Sequence, residues 1–172
     1  MPGSSQTIGS GCSKYGVSIT NLIGSAVLTL AEHPRQLARL RAAPEMLPAA
    51  IEEVLRFRSP VQIVFRQTRR AVEMRGKTIP EGALVLAVIG AANRDPGHFP
   101  DPGRFDVARD PNHHVAFGHG IHFCIGAPLA RLEARVALRQ FLARVPRFQV
   151  TGQWEPRNFH VHGPARLPIH LT

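Results

Sequence analysis

The residues best placed to do chemistry stand in one short run, Phe117-Gly118-His119-Gly120-Ile121-His122-Phe123-Cys124-Ile125-Gly126. Cys124 ends a glycine-punctuated loop immediately before a strongly helical segment. A helix N-terminus offers unsatisfied N–H groups and the positive end of the helix dipole. Both lower a thiol's pKa, so a cysteine there can serve as a nucleophile or as a metal ligand. Gly120 permits a tight turn, and Gly126 allows a flat object to approach the helix backbone closely. Other readings remain open on the residues alone. Cys124 could be a buried structural cysteine, its glycines serving only loop geometry. His113, His114, His119, His122 and Cys124 could instead hold zinc, although structural zinc usually takes several cysteines. Cys12, the only other cysteine, lies in a Gly/Ser-rich stretch, and two thiols make no disulfide framework.

A second constellation is Glu53-Val54-Leu55-Arg56. Residues at i and i+3 share a helix face, so Glu53 and Arg56 can pair. On an exposed face such a pair contributes under about 1 kcal/mol.

The elements that must position these groups follow from periodicity. Ile19, Leu22, Ile23, Ala26, Val27 and Leu30 predict a helix from about Ser18 to Ala31. Pro34 opens a short Arg/Leu helix, and Pro44-Glu45 a third that runs to about Phe57. The period then changes. Ile63-Val64-Phe65 reads as a strand, and Val72 to Met74 with Lys77 to Ile79 as a hairpin around Arg75-Gly76. Leu84 to Ile89 reads as a buried strand. Residues 93–120 form a long segment rich in Pro, Gly, Asp and His, and loops of that length are usually functional. A long helix is expected from near Cys124 to about Arg144, then short strands to the C-terminus. The class is mainly α with small antiparallel β-sheets. Residues 1–17 are expected to be an unmatched, disordered segment, and 18–172 one domain.

Composition narrows the function. The 172 residues carry 21 Lys+Arg against 12 Asp+Glu, a formal charge of +9 and a pI near 11.3. A positive field of this size favours acidic partners. Aromatics are only 6% and the arginines are scattered, which is poor material for stacking on bases. No apolar run approaches the roughly 20 residues that a membrane helix requires, and no signal peptide is evident. A soluble cytoplasmic protein, bound to neither nucleic acid nor membrane, is expected.

The pattern Phe-Gly-x-Gly-x-His-x-Cys-x-Gly, met by Phe117, Gly118, Gly120, His122, Cys124 and Gly126, resembles the haem-ligand signature of the cytochrome P450 family. Ala127-Pro128-Leu129-Ala130-Arg131-Leu132-Glu133 looks like the family's helix after that ligand. The likeness runs from about Thr20 to the C-terminus and implies the C-terminal half of the P450 fold, of the soluble bacterial type. It implies Cys124 as axial thiolate to the iron of haem b, pushing electron density toward bound oxygen. It implies Phe117 packed near the sulfur, and His122 and Arg66 on the haem propionates. Glu53 and Arg56 resemble the family's Glu-x-x-Arg motif. Arg104, in Asp101-Pro102-Gly103-Arg104-Phe105-Asp106, would complete a buried charge network with them. Asn93-Arg94-Asp95-Pro96 resembles the family's turn after the buried strand. Val61, Ile63, Val64, Phe159 and Val161 would face an apolar small-molecule substrate. An acidic electron donor such as a ferredoxin is the implied partner.

A complete member of that family is well over twice this long, so the resemblance predicts a truncated reading frame without the family's N-terminal half. In the proton-relay stretch that the family carries on its central helix, the acid position holds Val17 and the alcohol position Ser18. Exposed apolar helix faces, weakened haem binding and a missing N-terminal partner chain are expected from this. The implied activity is monooxygenation, oxygen insertion from dioxygen. A non-catalytic remnant that retains the scaffold, or a basic His/Cys metal-binding module, are the alternatives.

Overall fold

Four helices build the core, each contributing apolar side chains from one face. The computed structural model describes residues 13–151, 153–156 and 160–171. Helix α1 (Ser13–Glu32) contributes Leu22, Ala26, Val27 and Leu30. Helix α2 (Pro34–Ala42) follows at once and adds Leu40. A single 3-10 turn (Pro44–Met46) leads into α3 (Leu47–Phe57), which buries Leu47, Ala50, Ile51, Val54 and Leu55. Pro34 and Pro44 each stand at the first positions of their helical segments, where a missing N–H costs nothing. Helix α5 (Ala127–Arg144) closes the core with Ala134 and Leu138. The structure begins α1 five residues before the expected Ser18, through Gly16. Periodicity locates the turns that bury a face, and helix propagation beyond them leaves no such mark.

The sheets are small. Strands β1 (Ile63–Gln67), β2 (Val72–Met74), β3 (Lys77–Ile79) and β4 (Leu84–Val88) precede one helical turn, α4 (Ile89–Ala92). Strands β5 (Phe148–Val150), β6 (Glu155–Pro156), β7 (Pro164–Arg166) and β8 (Ile169–Leu171) follow α5. They pair antiparallel as β1–β4, β2–β3, β5–β8 and β6–β7. The β2–β3 turn takes positive φ at both Arg75 (49°) and Gly76 (75°), the twist that a two-residue hairpin requires. Residues 93–119 contain no helix or strand and run as successive turns, as their composition implies.

One strand departs from expectation. Leu84 to Ile89 reads as a buried strand, yet Leu84 is 67% exposed, and Leu86 and Val88 are exposed as well. In the antiparallel register Ile63 faces Val88 and Phe65 faces Leu86. Directly opposed residues share a sheet face, so the apolar side chains gather on one side of a two-stranded ribbon. Among the described residues no other strand pairs with it.

Helix α5 shows the same condition. Ala127, Ala134 and Leu138 lie on its buried face. Leu129, Leu132 and Val136, at i, i+3 and i+7, share the opposite face and are exposed. The sequence expectation of one apolar stripe joining Leu129, Leu132 and Val136 to Leu138, Phe141 and Leu142 is therefore corrected to two faces. Leu138→Ala should lose about 2–5 kcal/mol of stability, whereas Leu132→Ala should lose under about 1 kcal/mol. Urea unfolding of the two variants measures the difference.

Candidate functional site

The site is built around a charge pair with no access to solvent. The side chains of Glu53 and Arg56 are both 0% exposed. Arg56 Nε and Nη2 donate to Glu53 Oε2 and Oε1 at 2.7 and 2.8 Å. Arg56 Nη1 donates to the carbonyls of Asn93 and Pro102, each at 3.0 Å, and Nη2 to that of Arg104 at 3.1 Å. Every N–H of the guanidinium fork thus has an acceptor. Glu53 also accepts from the Asp106 N–H, Arg109 Nε and Asn112 Nδ2. Buried Asn93 extends the network: its Nδ2 donates to Ser59 Oγ, and its Oδ1 accepts the Val115 N–H. The Glu53–Arg56 pair, with Gln36 and Arg39 of α2 bonded to Val107 and Asp106, therefore holds the long segment from Asn93 to Val115, which contains no helix or strand.

The third cation of this network is not the expected one. The Arg104 guanidinium turns outward to Asp106 and is 60% exposed, and Arg104 serves the network through its carbonyl alone. The cation that faces Glu53 is Arg109, at 3.2 Å. Arg109 also donates to the carbonyls of Pro100, Asp101 and Arg104. A lone arginine in a loop carries no periodic signal, so only the chain's course could single out Arg109.

The loop then reaches the cysteine. Gly118 and Gly120 take positive φ, 76° and 68°, which a side chain would oppose. A 3-10 turn, Gly120–His122, reverses the chain. The Cys124 N–H donates to the Phe117 carbonyl at 2.9 Å, and the Cys124 carbonyl accepts from the Ala127 N–H at 3.1 Å. These bonds deliver the thiol to the start of α5, unpaired and exposed. That excludes the buried structural cysteine. Gly126, the residue before the first turn of α5, has φ −82°, so its backbone does not demand glycine. A Cβ there would meet the Cys124 Sγ at 3.8 Å, an ordinary contact, so packing does not demand glycine either. The exposed sulfur, flanked by a residue without a side chain, suits the approach of a flat ligand. A single cysteine sulfur as donor, with apolar Ile121, Phe123 and Ile125 exposed around it, likewise fits haem.

The other expected site residues distribute unevenly. His122 is exposed on the same loop as Cys124. Arg66 is exposed on β1, its Nη1 donating to the Phe65 carbonyl. Val61 and Val161 are brought together by an antiparallel bridge, flanked by bonds from the Gln62 N–H to the His160 carbonyl and from the His162 N–H to the Pro60 carbonyl. Ile63 and Val64 are half-buried and, being adjacent on a strand, point to opposite faces. Ser18 is half-buried on α1. Phe159 lies outside the described residues. The histidines do not assemble as a zinc site: among the described residues no three His, Cys, Asp or Glu side chains could hold a metal together. His114 instead pairs with Glu52 at 3.0 Å.

Glu52 and Arg131 form a second cluster that sequence reasoning missed. Arg131 Nε and Nη2 donate to Glu52 Oε1 and Oε2 at 2.7 and 2.8 Å, a two-point fork. Burial alone would raise the Glu52 pKa, but the hydrogen bonds from Arg131 and His114, with the Arg131 charge, outweigh it and hold the carboxyl at about 2. A cavity of about 580 Å³ sits between α2 and α5, over Leu40, Pro44 and Leu142, and neither it nor a smaller one beside Glu52 and Arg131 is lined by Cys124.

The chain belongs to the cytochrome P450 family. The family profile described as Cytochrome P450 matches residues 27–159. Over 154 residues the chain is 57% identical to cytochrome P450 107B1 of Saccharopolyspora erythraea, covering 87% of this chain and 38% of that protein. It is 51% identical over 156 residues to 6-deoxyerythronolide B hydroxylase of the same organism, covering 88% and 38%. Among solved structures, P450BioI in complex with an acyl carrier protein ligated to hexadec-9Z-enoic acid superposes with a TM-score of 0.87 at 41% identity. That match covers 90% of this chain and 41% of the other. The chain thus has the fold of the corresponding part of P450 structures and spans about 38% of the length of the relatives it matches. No helix among the described residues is long and apolar enough to cross a membrane.

Two outcomes follow from this geometry. Arg109→Ala removes one charged hydrogen bond from buried Glu53, which Arg56 still neutralises, and should lose about 1.5–3 kcal/mol, while Arg104→Ala should lose under about 1 kcal/mol; chemical denaturation ranks them. Glu52, near 4.5 when unfolded and about 2 when folded, stabilises the fold fully above pH 4.5. The stability advantage of the native chain over Glu52→Gln should therefore hold from pH 7 to about 5 and shrink as pH falls through 4.5 toward 2.

Proposed function

We propose that this chain is the haem-binding part of a cytochrome P450 monooxygenase. The observation that carries the reading is the unpaired, exposed Cys124 thiol held at the start of α5, beside a glycine that neither backbone nor packing requires. The Cys124 thiolate would bind the iron of haem b, and Phe117, Gly118 and Gly126 would frame it. Arg66 and His122 would hydrogen-bond the propionates, Arg66 as a planar fork suited to a carboxylate. When bound, the haem would supply dioxygen activation, with one oxygen atom going to an apolar substrate and two electrons coming from a redox partner.

The remaining roles belong to the chain's own residues. The backbone bonds around Cys124 orient the sulfur. The Glu53–Arg56–Arg109 network holds the loop that presents it. Val61, Ile63, Val64 and Val161 would face substrate, with Phe159 beside them in the sequence reading, and Ser18 would keep a hydroxyl near the reacting face for proton movement. A formal charge of +9, with Arg135 and Arg139 exposed on α5, supports an acidic electron donor such as a ferredoxin. The exposed faces of β4 and α5 favour a second reading, in which this span holds haem but turns over only with a partner chain supplying the rest of the fold.

The test is spectroscopic. Purified chain, supplied with haem, reduced and exposed to carbon monoxide, should show a thiolate-type Soret band that Cys124→Ser abolishes. Stoichiometric zinc with no haem uptake would overturn the assignment. Product formation with a surrogate ferredoxin system then separates a catalytic span from a scaffold that only binds haem.

A further inference from the structure

Helix α3 carries Glu52 and Glu53 side by side. Successive helical residues diverge by about 100°, so the two carboxylates serve different clusters. Glu53, together with Arg56, organises the loop from Asn93 to Asn112. Glu52 reaches across to α5 and to the segment just before the cysteine loop.

We propose that Glu52, Arg131 and His114 form a positioning clamp for the Cys124 loop, acting through the ring and carbonyl of Phe117. Arg131 stands on the second turn of α5, its guanidinium locked to Glu52 by two short bonds. The same guanidinium lies over the Phe117 ring, 4.6 Å from its centroid. Phe117 is the residue whose carbonyl accepts the Cys124 N–H. From the other side, His114 Nε2 meets Glu52 Oε2 at 3.0 Å, and His114 Nδ1 accepts the Ala116 N–H at 3.2 Å. An Nδ1 that accepts must be unprotonated, so the ring proton sits on Nε2 and is donated to Glu52. One carboxylate on a rigid helix thereby fixes both the residue before Phe117 and the cation stacked on its ring.

Each link is directional. The planar guanidinium can fork to a carboxylate and stack on an aromatic face at the same time, which an ammonium cannot do. Arg131 is held above the ordinary arginine range, first by its hydrogen bonds to Glu52 and with a further electrostatic contribution from Cys124. A cation locked in this place also adds to the positive field at the sulfur. The purpose of the clamp rests on Cys124 as the haem ligand; its mechanics can be measured without haem.

The experiment is amide hydrogen exchange on the intact chain, read at Cys124 itself. Arg131→Gln and Glu52→Gln should each speed exchange there by about five- to tenfold. The double variant should be no faster than either single one, because both remove the same coupled arrangement. Arg131→Lys should fail to restore protection. Leu138→Ala, on the buried face of the same helix, should lower the melting temperature and leave Cys124 exchange unchanged. Unchanged exchange in Arg131→Gln, full protection in Arg131→Lys, or equal acceleration in Leu138→Ala would overturn the clamp.

A second readout uses the reduced carbon monoxide complex, in which Arg131→Gln should show less of the thiolate-type band than the unsubstituted chain at equal haem content. Equal bands in the two would overturn the clamp. Absence of that band in the unsubstituted chain would overturn the haem assignment instead, with the clamp then decided by the exchange result.

Discussion

The structure depends on a single buried ion pair. Two opposite charges without solvent are costly unless their remaining hydrogen-bonding capacity is met. Glu53 and Arg56 meet it almost entirely with backbone groups of the segment between Asn93 and Asp106, joined by Arg109 and Asn112. That choice of partners is what gives a long stretch without helix or strand a defined course. The loop cannot relax without stripping hydrogen bonds from buried charges, so the helix holds the loop and the loop keeps the pair satisfied. Cys124 lies at the far end of this arrangement.

The adjacent carboxylate extends the same logic toward the cysteine. Glu53 faces a loop, while Glu52 faces a helix, and the two together tie α3 to both ends of the segment that delivers the thiol. The role proposed for Cys124 requires its sulfur in one place, and glycines alone provide freedom rather than position. The turns at Gly118 and Gly120 make the bend possible. The polar clusters on α3 and the Phe117 carbonyl decide which bend is kept.

The apolar surfaces express a different constraint. Helix α5 is apolar on two opposite faces, and only one of them meets the core of this chain. The β1–β4 ribbon likewise turns an apolar face outward. Both features suit a span that makes up well under half the length of the relatives it resembles. The layers of a P450 fold that this chain contains are those that position the cysteine, and their outward faces have the composition of buried surface.

Much of the fold was legible in the residues, because local signals are short-ranged. Helical spacing in α1, the prolines opening α2 and the 3-10 turn before α3, and the Arg75-Gly76 hairpin each require only neighbours along the chain. So did the cysteine loop, whose glycines and helix boundary stand within ten residues. The sequence by itself determined the element types, the family and the place of Cys124. Tertiary structure decided which arginine completes the Glu53 network, since Arg104 and Arg109 are equal as letters and differ only in where the loop points them. It also decided that Leu84 and Leu86 stand exposed, and that Glu52, His114 and Arg131 converge behind Phe117. Apolar pattern records what a residue is suited to bury, whereas burial itself depends on what the rest of the chain brings to that face.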